Sequence, residues 1–246
     1  MGKNRDDTMT VLEHLAEMRL RLFISAAALL AAAIFCFTRV GWLRQVLTVP
    51  LADLPLIYLS PPEALTANLR LSIIAGFVVA SPIIIYQLAA FLFPAFSRRE
   101  KLLALNIITG ICFLFICGVY FAYRIVFPFT IKFFLQFSST ELEPQFLVND
   151  YISFVTSFHL AFGFVFQLPL LAWALGRIGI LSSPFLRKNR KYALLVMLVV
   201  AAVITPPDVV SQIVMVAPLL VLYEIGILMV IMSEKKRLKE MKTAGL

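Results

Sequence analysis

The sequence predicts an all-α integral membrane protein with six transmembrane helices. Of its 246 residues, 61% are hydrophobic and only 15% are charged, whereas soluble domains are close to half apolar and a quarter charged. Several long stretches contain no Asp, Glu, Lys or Arg, and each exceeds the ~20 residues that a helix needs to cross the hydrocarbon core. No stretch alternates with the period of a barrel strand, so helices must satisfy the backbone hydrogen bonds in lipid.

Apolar stretches assign the six spans in chain order. The first closes on Arg39, and the sixth is interrupted only by Glu224. The fifth has only about 13 apolar residues, or ~20 Å of helix, and is too short to cross without flanking residues or a thinned bilayer. We treat residues 1–246 as a single domain, with an amphipathic segment at 1–21, a basic tail at 233–246, and spans at 22–38, 71–96, 102–123, 151–176, 192–204 and 209–232.

Basic residues give the orientation. Of the 22 Lys and Arg, 17 fall on the side of the two termini, which the positive-inside rule places in the cytoplasm. The predicted protein is therefore multi-pass, with both termini inside. This orientation accounts for the net charge of +8, so no nucleic acid partner is needed. Asp6 and Asp7, with no apolar core before the first span, are not typical of a cleaved signal peptide.

Helix starts follow one pattern, a hydroxyl three residues before a carboxylate, which is the capping-box spacing or a close variant. The second helix is expected to begin near Pro61 and to run about 50 Å, with a kink at Pro82. The third is expected to overrun its span toward Pro128. The extracytoplasmic side therefore carries structured segments, including a short interfacial helix in "GWLRQVLTVPL". The four pairs are Thr10/Glu13, Ser60/Glu63, Ser97/Glu100 and Thr205/Asp208.

Residues with enzymatic or metal-binding chemistry are scarce. The two histidines, His14 and His159, lie far apart in the sequence, and no HExxH or G-x-S-x-G motif occurs. All three cysteines lie within apolar spans, where they are expected to pack rather than to bind metal or form disulfides. We therefore expect no enzyme activity, no cofactor and no metal site.

Two polar side chains lie at similar depth within the predicted spans, Gln167 in the fourth and Glu224 in the sixth. An ionised Glu near mid-bilayer costs about 2.5–3.5 kcal/mol on insertion scales, so such residues face protein or water. Each side chain is expected either to bond to a neighbouring helix or to contact the helix of another protein. The alternative function is a small-solute secondary transporter with Glu224 as a proton-coupled site, although the paired halves typical of carriers are missing.

The stretch "FLFPAFSRREKLL" places one acid, Glu100, among three basic residues at the inner surface. Its spacing from Ser97 is explained by helix capping. Glu17 lies a full turn past its capped helix start, so capping does not explain it, and it is spaced to pair with Arg21. Two carboxylates near one membrane surface are suited to receive a basic peptide, because Arg–carboxylate pairs are bidentate and specific.

Five blocks in this order resemble the TatC family, the multispanning receptor of the twin-arginine protein translocase: "LEHLAEMRLRL", "SPIIIYQLAAFLFPAFSRRE", "FGFVFQLPL", "RKNRKY" and "TPPDVVSQ". The resemblance covers nearly the whole chain. It implies a cupped, concave bundle of six helices in the plasma (inner) membrane of a prokaryote, with both termini cytoplasmic. It also implies binding of twin-arginine signal peptides of folded cargo, and assembly with single-span partner subunits into an oligomeric complex for export driven by the proton-motive force.

Matching positions carry the family's functional residues onto this chain. The signal-peptide site is implied at the cytoplasmic face, the partner-helix contact in the fourth span, and a further functional set on the extracytoplasmic side. In that order, the implied residues are Glu17, Arg19, Phe91 and Glu100; then Gln167; then Pro50, Glu63, Tyr123 and Asp208.

Overall fold

The structure is a computed structural model that describes residues 11–51, 54–92, 98–136, 145–204 and 209–243, with side chains described over 13–51, 54–91, 105–136, 145–202 and 212–237. The described chain is almost entirely helical. Ten α-helices, α1 to α10, span Val11–Thr38, Val40–Thr48, Pro61–Leu92, Arg98–Phe121, Phe127–Leu135, Val148–Val165, Leu168–Ile178, Ser183–Lys188, Arg190–Ile204 and Val209–Thr243. Two short strands, β1 (Leu56–Ile57) and β2 (Phe146–Leu147), pair in parallel.

Within the described residues, five helical stretches are long and apolar enough to cross a membrane. They are Glu13–Thr38, Pro61–Phe91, Leu105–Leu135, Val148–Ile178 and Gln212–Arg237. The helix at the predicted fifth span, α9, has 15 residues, which is about 22 Å and well short of the ~30 Å hydrocarbon core. The all-α class is confirmed, whereas a count of six spans stays a prediction.

The first helix is uninterrupted. The amphipathic segment and the first apolar span, predicted as consecutive, form the single helix α1 of 28 residues. The predicted start of the second helix at Pro61 is confirmed, and α3 runs to Leu92. The third helix overruns as predicted, because α4 continues through a π-helical turn, Ala122–Val126, into α5.

Prolines mark the irregular points within the spans. Pro82 has no N–H for the carbonyl of Val78 one turn earlier, and the Ser81 hydroxyl donates to that carbonyl at 2.7 Å instead. The fourth span breaks between α6 and α7 at residues 166–167, just before Pro169. The Gln167 side chain therefore lies where the helix of the fourth span is interrupted.

Close helix packing is clearest between α1 and α3. A Cβ built on Gly76 of α3 would lie 2.6 Å from the backbone nitrogen of Ala33 in α1. Only glycine allows the two backbones to approach this closely. The largest fully buried side chains come from other elements and include Phe127, Phe158 and Phe162.

The helices give the bundle two ends, which we name for use below. The basic end contains the start of α1, the end of α3, the start of α4 and the ends of α7 and α10. The strand end contains α2, β1, β2 and the starts of α3 and α6.

Candidate functional site

At the basic end, the first part of α1 contacts the last turns of α3. The His14 ring stacks on the Phe91 ring, with centroids 4.5 Å apart and an interplanar angle of 18°. Arg21 Nη1 donates to Gln87 Oε1 at 3.3 Å. Two contacts spaced about two turns apart along α1 thus fix its first part against the end of α3.

Glu17 lies between these two contacts on α1. Arg21 donates from Nε to Glu17 Oε1 at 2.9 Å, which confirms the predicted pairing of these two residues. The other carboxylate oxygen, Oε2, is buried and has no hydrogen-bond partner among the described residues. The Glu17 side chain as a whole is 19% exposed. One oxygen is therefore occupied by an internal arginine, and the second remains an unused acceptor.

The other implied signal-site residues differ in what the structure describes. Phe91 lies in the stacked pair with His14, which is three residues before Glu17 on α1. Arg19 is exposed on α1. Helix α4 begins at Arg98, directly after the predicted cap Ser97. The side chain of Glu100 lies outside the described residues, so its place beside Glu17 stays a prediction.

Gln167 lines a largely apolar groove between α3, α4 and the break separating α6 from α7. Its Nε2 donates to the carbonyls of Ile111 and Gly163, at 3.2 and 3.3 Å, while its Oε1 is buried without a partner among the described residues. The groove has a volume of about 280 Å³ and is lined by Phe77, Ser81, Ile84, Ile85, Leu88, Ala89, Ile107, Ile108, Ile111, Phe115 and Phe164 besides Gln167. The Gln167 side chain therefore lines an apolar depression within the candidate spans and keeps one buried oxygen without a partner among the described residues.

Glu224 is engaged with a charged partner. Its Oε2 accepts from Arg190 Nη2 at 2.8 Å, and the two side chains are 51% and 54% exposed. The predicted contact to a neighbouring helix is therefore an ion pair with the first residue of α9. A carboxylate already neutralised by arginine is poorly suited to the proton-coupled site of the transporter alternative.

At the strand end, Glu63 connects the starts of two helices. Its Oε2 accepts from the backbone N–H of Leu59 at 2.9 Å, and its Oε1 from that of Asn149, in the first turn of α6, at 3.5 Å. The capping box predicted at Ser60/Glu63 differs in detail: the Glu63 N–H donates to the Ser60 backbone carbonyl at 3.1 Å, and the Glu63 carboxylate accepts from Leu59 rather than from Ser60. The same carboxylate also satisfies an N–H of a helix 86 residues away in sequence.

Two tyrosine hydroxyls donate hydrogen bonds to the last turn of α2. Tyr123 donates to the carbonyl of Val46 at 3.1 Å, and Tyr151 donates to that of Leu47 at 2.6 Å. Carbonyls in the last turn of a helix have no partner within it, so these hydroxyls satisfy groups that would otherwise need water. Pro50 lies in the 3₁₀ turn that follows. Asp208, the fourth implied residue of this set, lies outside the described residues.

Comparison with known proteins identifies the family. Residues 13–218 match the family model described as Sec-independent protein translocase protein (TatC). The chain belongs to the TatC family. TatC is the receptor component of the twin-arginine translocase and not an enzyme, which confirms the family, the function and the non-enzymatic class predicted from the sequence.

Individual TatC proteins resemble this chain over nearly its full length. The Carboxydothermus hydrogenoformans protein is 40% identical over 90% of this chain and 93% of its own. The Aquifex aeolicus protein is 37% identical over 96% of this chain and 100% of its own. A crystal structure of the twin-arginine translocase receptor TatC superposes with a TM-score of 0.79 at 36% identity, covering 90% of this chain and 99% of that one.

Three contacts of this TatC chain were missed by sequence reasoning. His14 and Gln87 were not singled out at the signal site, and Tyr151 was not singled out at the strand end. The spacing of His14 three residues before Glu17 on one helix was an available signal. The contacts with Phe91, Gln87 and Leu47 carried no such signal. In the two hydrogen bonds among them, the partners are 66 and 104 residues apart in the sequence.

Proposed function

We propose that this TatC chain binds twin-arginine signal peptides of folded proteins at the basic end, which faces the cytoplasm. The observation that carries this proposal is Glu17, whose Oε2 has no partner among the described residues in a cluster formed by α1 and the end of α3. A buried carboxylate oxygen without a donor is destabilising by about 1–3 kcal/mol or more. An incoming guanidinium relieves that cost.

The two signal arginines use different acceptors. Because Arg21 already occupies Glu17 Oε1, one signal guanidinium binds at Oε2, after a rotation of the carboxylate toward the surface. Glu100, at the start of α4, accepts the second. Arginine is preferred over lysine because a planar guanidinium donates two parallel bonds to a carboxylate, whereas an ammonium acts as a point charge. Arg19, exposed on α1, contributes to the same surface.

Charge pairing alone leaves the affinity too low. Each charge-assisted bond contributes about 1.5–3 kcal/mol, and two of them fall short of the ~8 kcal/mol that a micromolar complex requires. The apolar segment of the signal must supply the difference. Phe91 and Leu88 lie one turn apart on α3, and Leu88 lines the apolar groove, so apolar surface begins directly beside the charged cluster.

Binding of a synthetic signal peptide to membranes that hold the full chain tests this proposal. Glu17→Gln and Glu100→Gln are each expected to weaken binding of the Arg-Arg peptide by roughly tenfold or more, because each removes one charge-assisted bond. A Lys-Lys peptide should bind weakly to the parent chain and should lose little further affinity in either variant. Photo-crosslinking or fluorescence anisotropy measures all of these affinities.

The matched control is Glu224→Gln, which removes a paired acid far from the cluster and should leave peptide binding unchanged. If the Arg-Arg and Lys-Lys peptides bind alike, or if the Glu17 and Glu100 variants bind as tightly as the control, the receptor site lies elsewhere. The Glu224→Gln variant also tests the transporter alternative, because solute uptake by that mechanism requires the Glu224 carboxylate.

The membrane arrangement belongs to the same proposal. We place both termini in the cytoplasm, in the inner membrane of a prokaryote, with α9 as a sixth, short span and the six helices forming a cupped bundle. Seventeen of the 22 basic residues then lie inside. Because α9 is only about 22 Å long, the bilayer becomes thinner around it. Cargo crosses there in an oligomeric complex with partner subunits, driven by the proton-motive force.

The partner contact is proposed at Gln167. A single-span partner helix in the apolar groove gains apolar burial, and a polar side chain on that helix donates to the unused Oε1. Interhelical hydrogen bonds of this kind in membranes contribute about 0.6–2 kcal/mol. This contribution favours one register of the partner helix over others.

Gln167→Leu is expected to reduce co-purification of single-span partner subunits by roughly three- to tenfold, because it replaces the acceptor with an apolar side chain of similar size. Quantitative mass spectrometry of the purified complex measures the recovery. Gln212→Leu serves as the matched control, since Gln212 donates to the Leu198 carbonyl away from the groove. Equal partner recovery from both variants would contradict the assignment of Gln167.

A further inference from the structure

A second groove opens at the basic end between α4, α7 and α10. Its volume is about 490 Å³, and apolar side chains form most of its wall. It shares Ile107 with the Gln167 groove but lies on the far side of α4 from α3. The main apolar contributors are Ile107, Leu170, Ile178 and Met229, with Trp173 at one side.

Three cations gather at the mouth of this groove. Arg177 and Lys236 line it, and Arg237 lines a small adjoining cavity together with both of them. The Arg177 guanidinium lies over the Trp173 ring at 5.8 Å from the centroid. The nearest described acid along α10, Glu234, is occupied elsewhere, because its two oxygens accept from the Ser183 N–H and hydroxyl at 2.8 and 2.6 Å.

The depth of the groove matches a bilayer boundary. The last uncharged stretch of α10 ends at Ser233 and is followed directly by Glu234, Lys235, Lys236 and Arg237, and α7 carries its one charged residue, Arg177, in its last turn. The three cations therefore lie at the level of lipid head groups, and the apolar wall continues toward the acyl chains. A basic rim over an apolar wall at this level is the arrangement in which intramembrane grooves hold acidic head groups.

The backbone geometry at the end of α7 leaves room for the Arg237 side chain. Helix α7 ends in a Schellman turn, in which Ile180 N–H donates to Leu175 O at 3.0 Å and Gly179 adopts a φ of 85°. A Cβ on Gly179 would meet the Arg237 guanidinium, so glycine lets that side chain lie against the end of α7. Beneath it, the buried Ser233 hydroxyl lines the small cavity and has no partner among the described residues.

We propose that this groove binds an anionic phospholipid. The phosphate lies among Arg177, Lys236 and Arg237, and an acyl chain lies along Ile107, Leu170 and Met229. The apolar wall selects a lipid over a free anion, and the cations select an acidic head group over a zwitterionic one. Apart from Ile107, which also lines the Gln167 groove, none of these residues belongs to the proposed signal or partner sites, so the inference does not depend on those sites.

Native mass spectrometry of the full chain in detergent tests the proposal, with dioleoylphosphatidylglycerol and dioleoylphosphatidylcholine as probes that share their acyl chains. The parent chain is expected to retain the phosphatidylglycerol preferentially. Lys236→Gln/Arg237→Gln should weaken that binding by roughly 30-fold, since each cation near a membrane surface contributes about fivefold. Arg187→Gln/Lys188→Gln, exposed on α8, is the matched control and should change nothing.

A second variant keeps the charges and fills the apolar part. Leu170→Trp should weaken phosphatidylglycerol binding while leaving the three cations in place. If the charge variant fails to fold, the Leu170→Trp result alone decides whether the groove binds the lipid. The proposal is overturned if phosphatidylcholine binds equally well, if the α8 control loses as much affinity as the groove variant, or if inorganic phosphate displaces the lipid at equal concentration. The last outcome identifies a site for a soluble anion.

Discussion

Gly76→Ala is expected to destabilise the protein by about 2–3 kcal/mol, although the change adds only one methyl group. The new Cβ would lie 2.6 and 2.7 Å from the backbone nitrogen and Cα of Ala33. Atoms of a helix backbone cannot rotate away as a side chain can, so α1 and α3 must move apart. Unfolding of the purified chain in mixed micelles measures the loss of stability.

The matched control is Gly110→Ala, in the middle of α4. A Cβ there would meet only Leu170 Cδ2 at 3.7 Å, an ordinary contact. Since alanine favours helix by up to about 1 kcal/mol over glycine, this variant should be neutral or more stable. Similar changes in both variants would show that α1 and α3 are not held at their backbones. Gly76→Ala should also weaken binding of an Arg-Arg signal peptide, because a displaced α1 carries Glu17 away from the end of α3.

Glu63→Ala is the second substitution with a large expected effect, a loss of about 2–3 kcal/mol of stability. It removes the acceptor of two backbone N–H groups, those of Leu59 and Asn149. The strand pair Leu56↔Phe146 and Ile57↔Leu147 lies beside them, so the strand end should loosen as a unit. Hydrogen exchange at Leu59 and Asn149 measures the local effect, and micelle unfolding measures the total.

Glu63→Gln provides the graded control. The amide keeps one acceptor oxygen and nearly the same shape, so about half of the loss is expected. Exchange at Asn149 that stays protected in the alanine variant would show that the 3.5 Å contact contributes nothing to the stability of α6.

Local patterns predicted much of the fold. The start of α3 at Pro61 and the break beside Gln167 both follow from proline, whose missing N–H acts within one turn. The Glu17–Arg21 pair follows from helical spacing. The shortness of α9 follows from the length of its apolar run.

Contacts between distant segments could not be predicted in this way. Arg190, 34 residues before Glu224, is its partner, and nothing in the local sequence indicates that pairing. Likewise, Glu63 reads as an ordinary cap of its own helix, and only the paired strands bring Asn149 to it. At the basic end, the stacking of His14 on Phe91 depends on how closely α1 approaches α3, and Gly76 sets that distance in the middle of α3.

The uninterrupted α1 described above has a mechanical consequence. Its tightest crossing with α3, at Ala33, lies 16 residues from Glu17 and five from Thr38, or about 24 and 7 Å along the axis. A stiff rod held at an off-centre pivot moves its two tips in opposite directions and by unequal amounts. For the start of α1 to move by about 3 Å, the His14 and Arg21 contacts with α3 must open, and the end of α1 then moves by about 1 Å in the opposite direction, toward α2 and the tyrosine hydroxyls that hold its last turn.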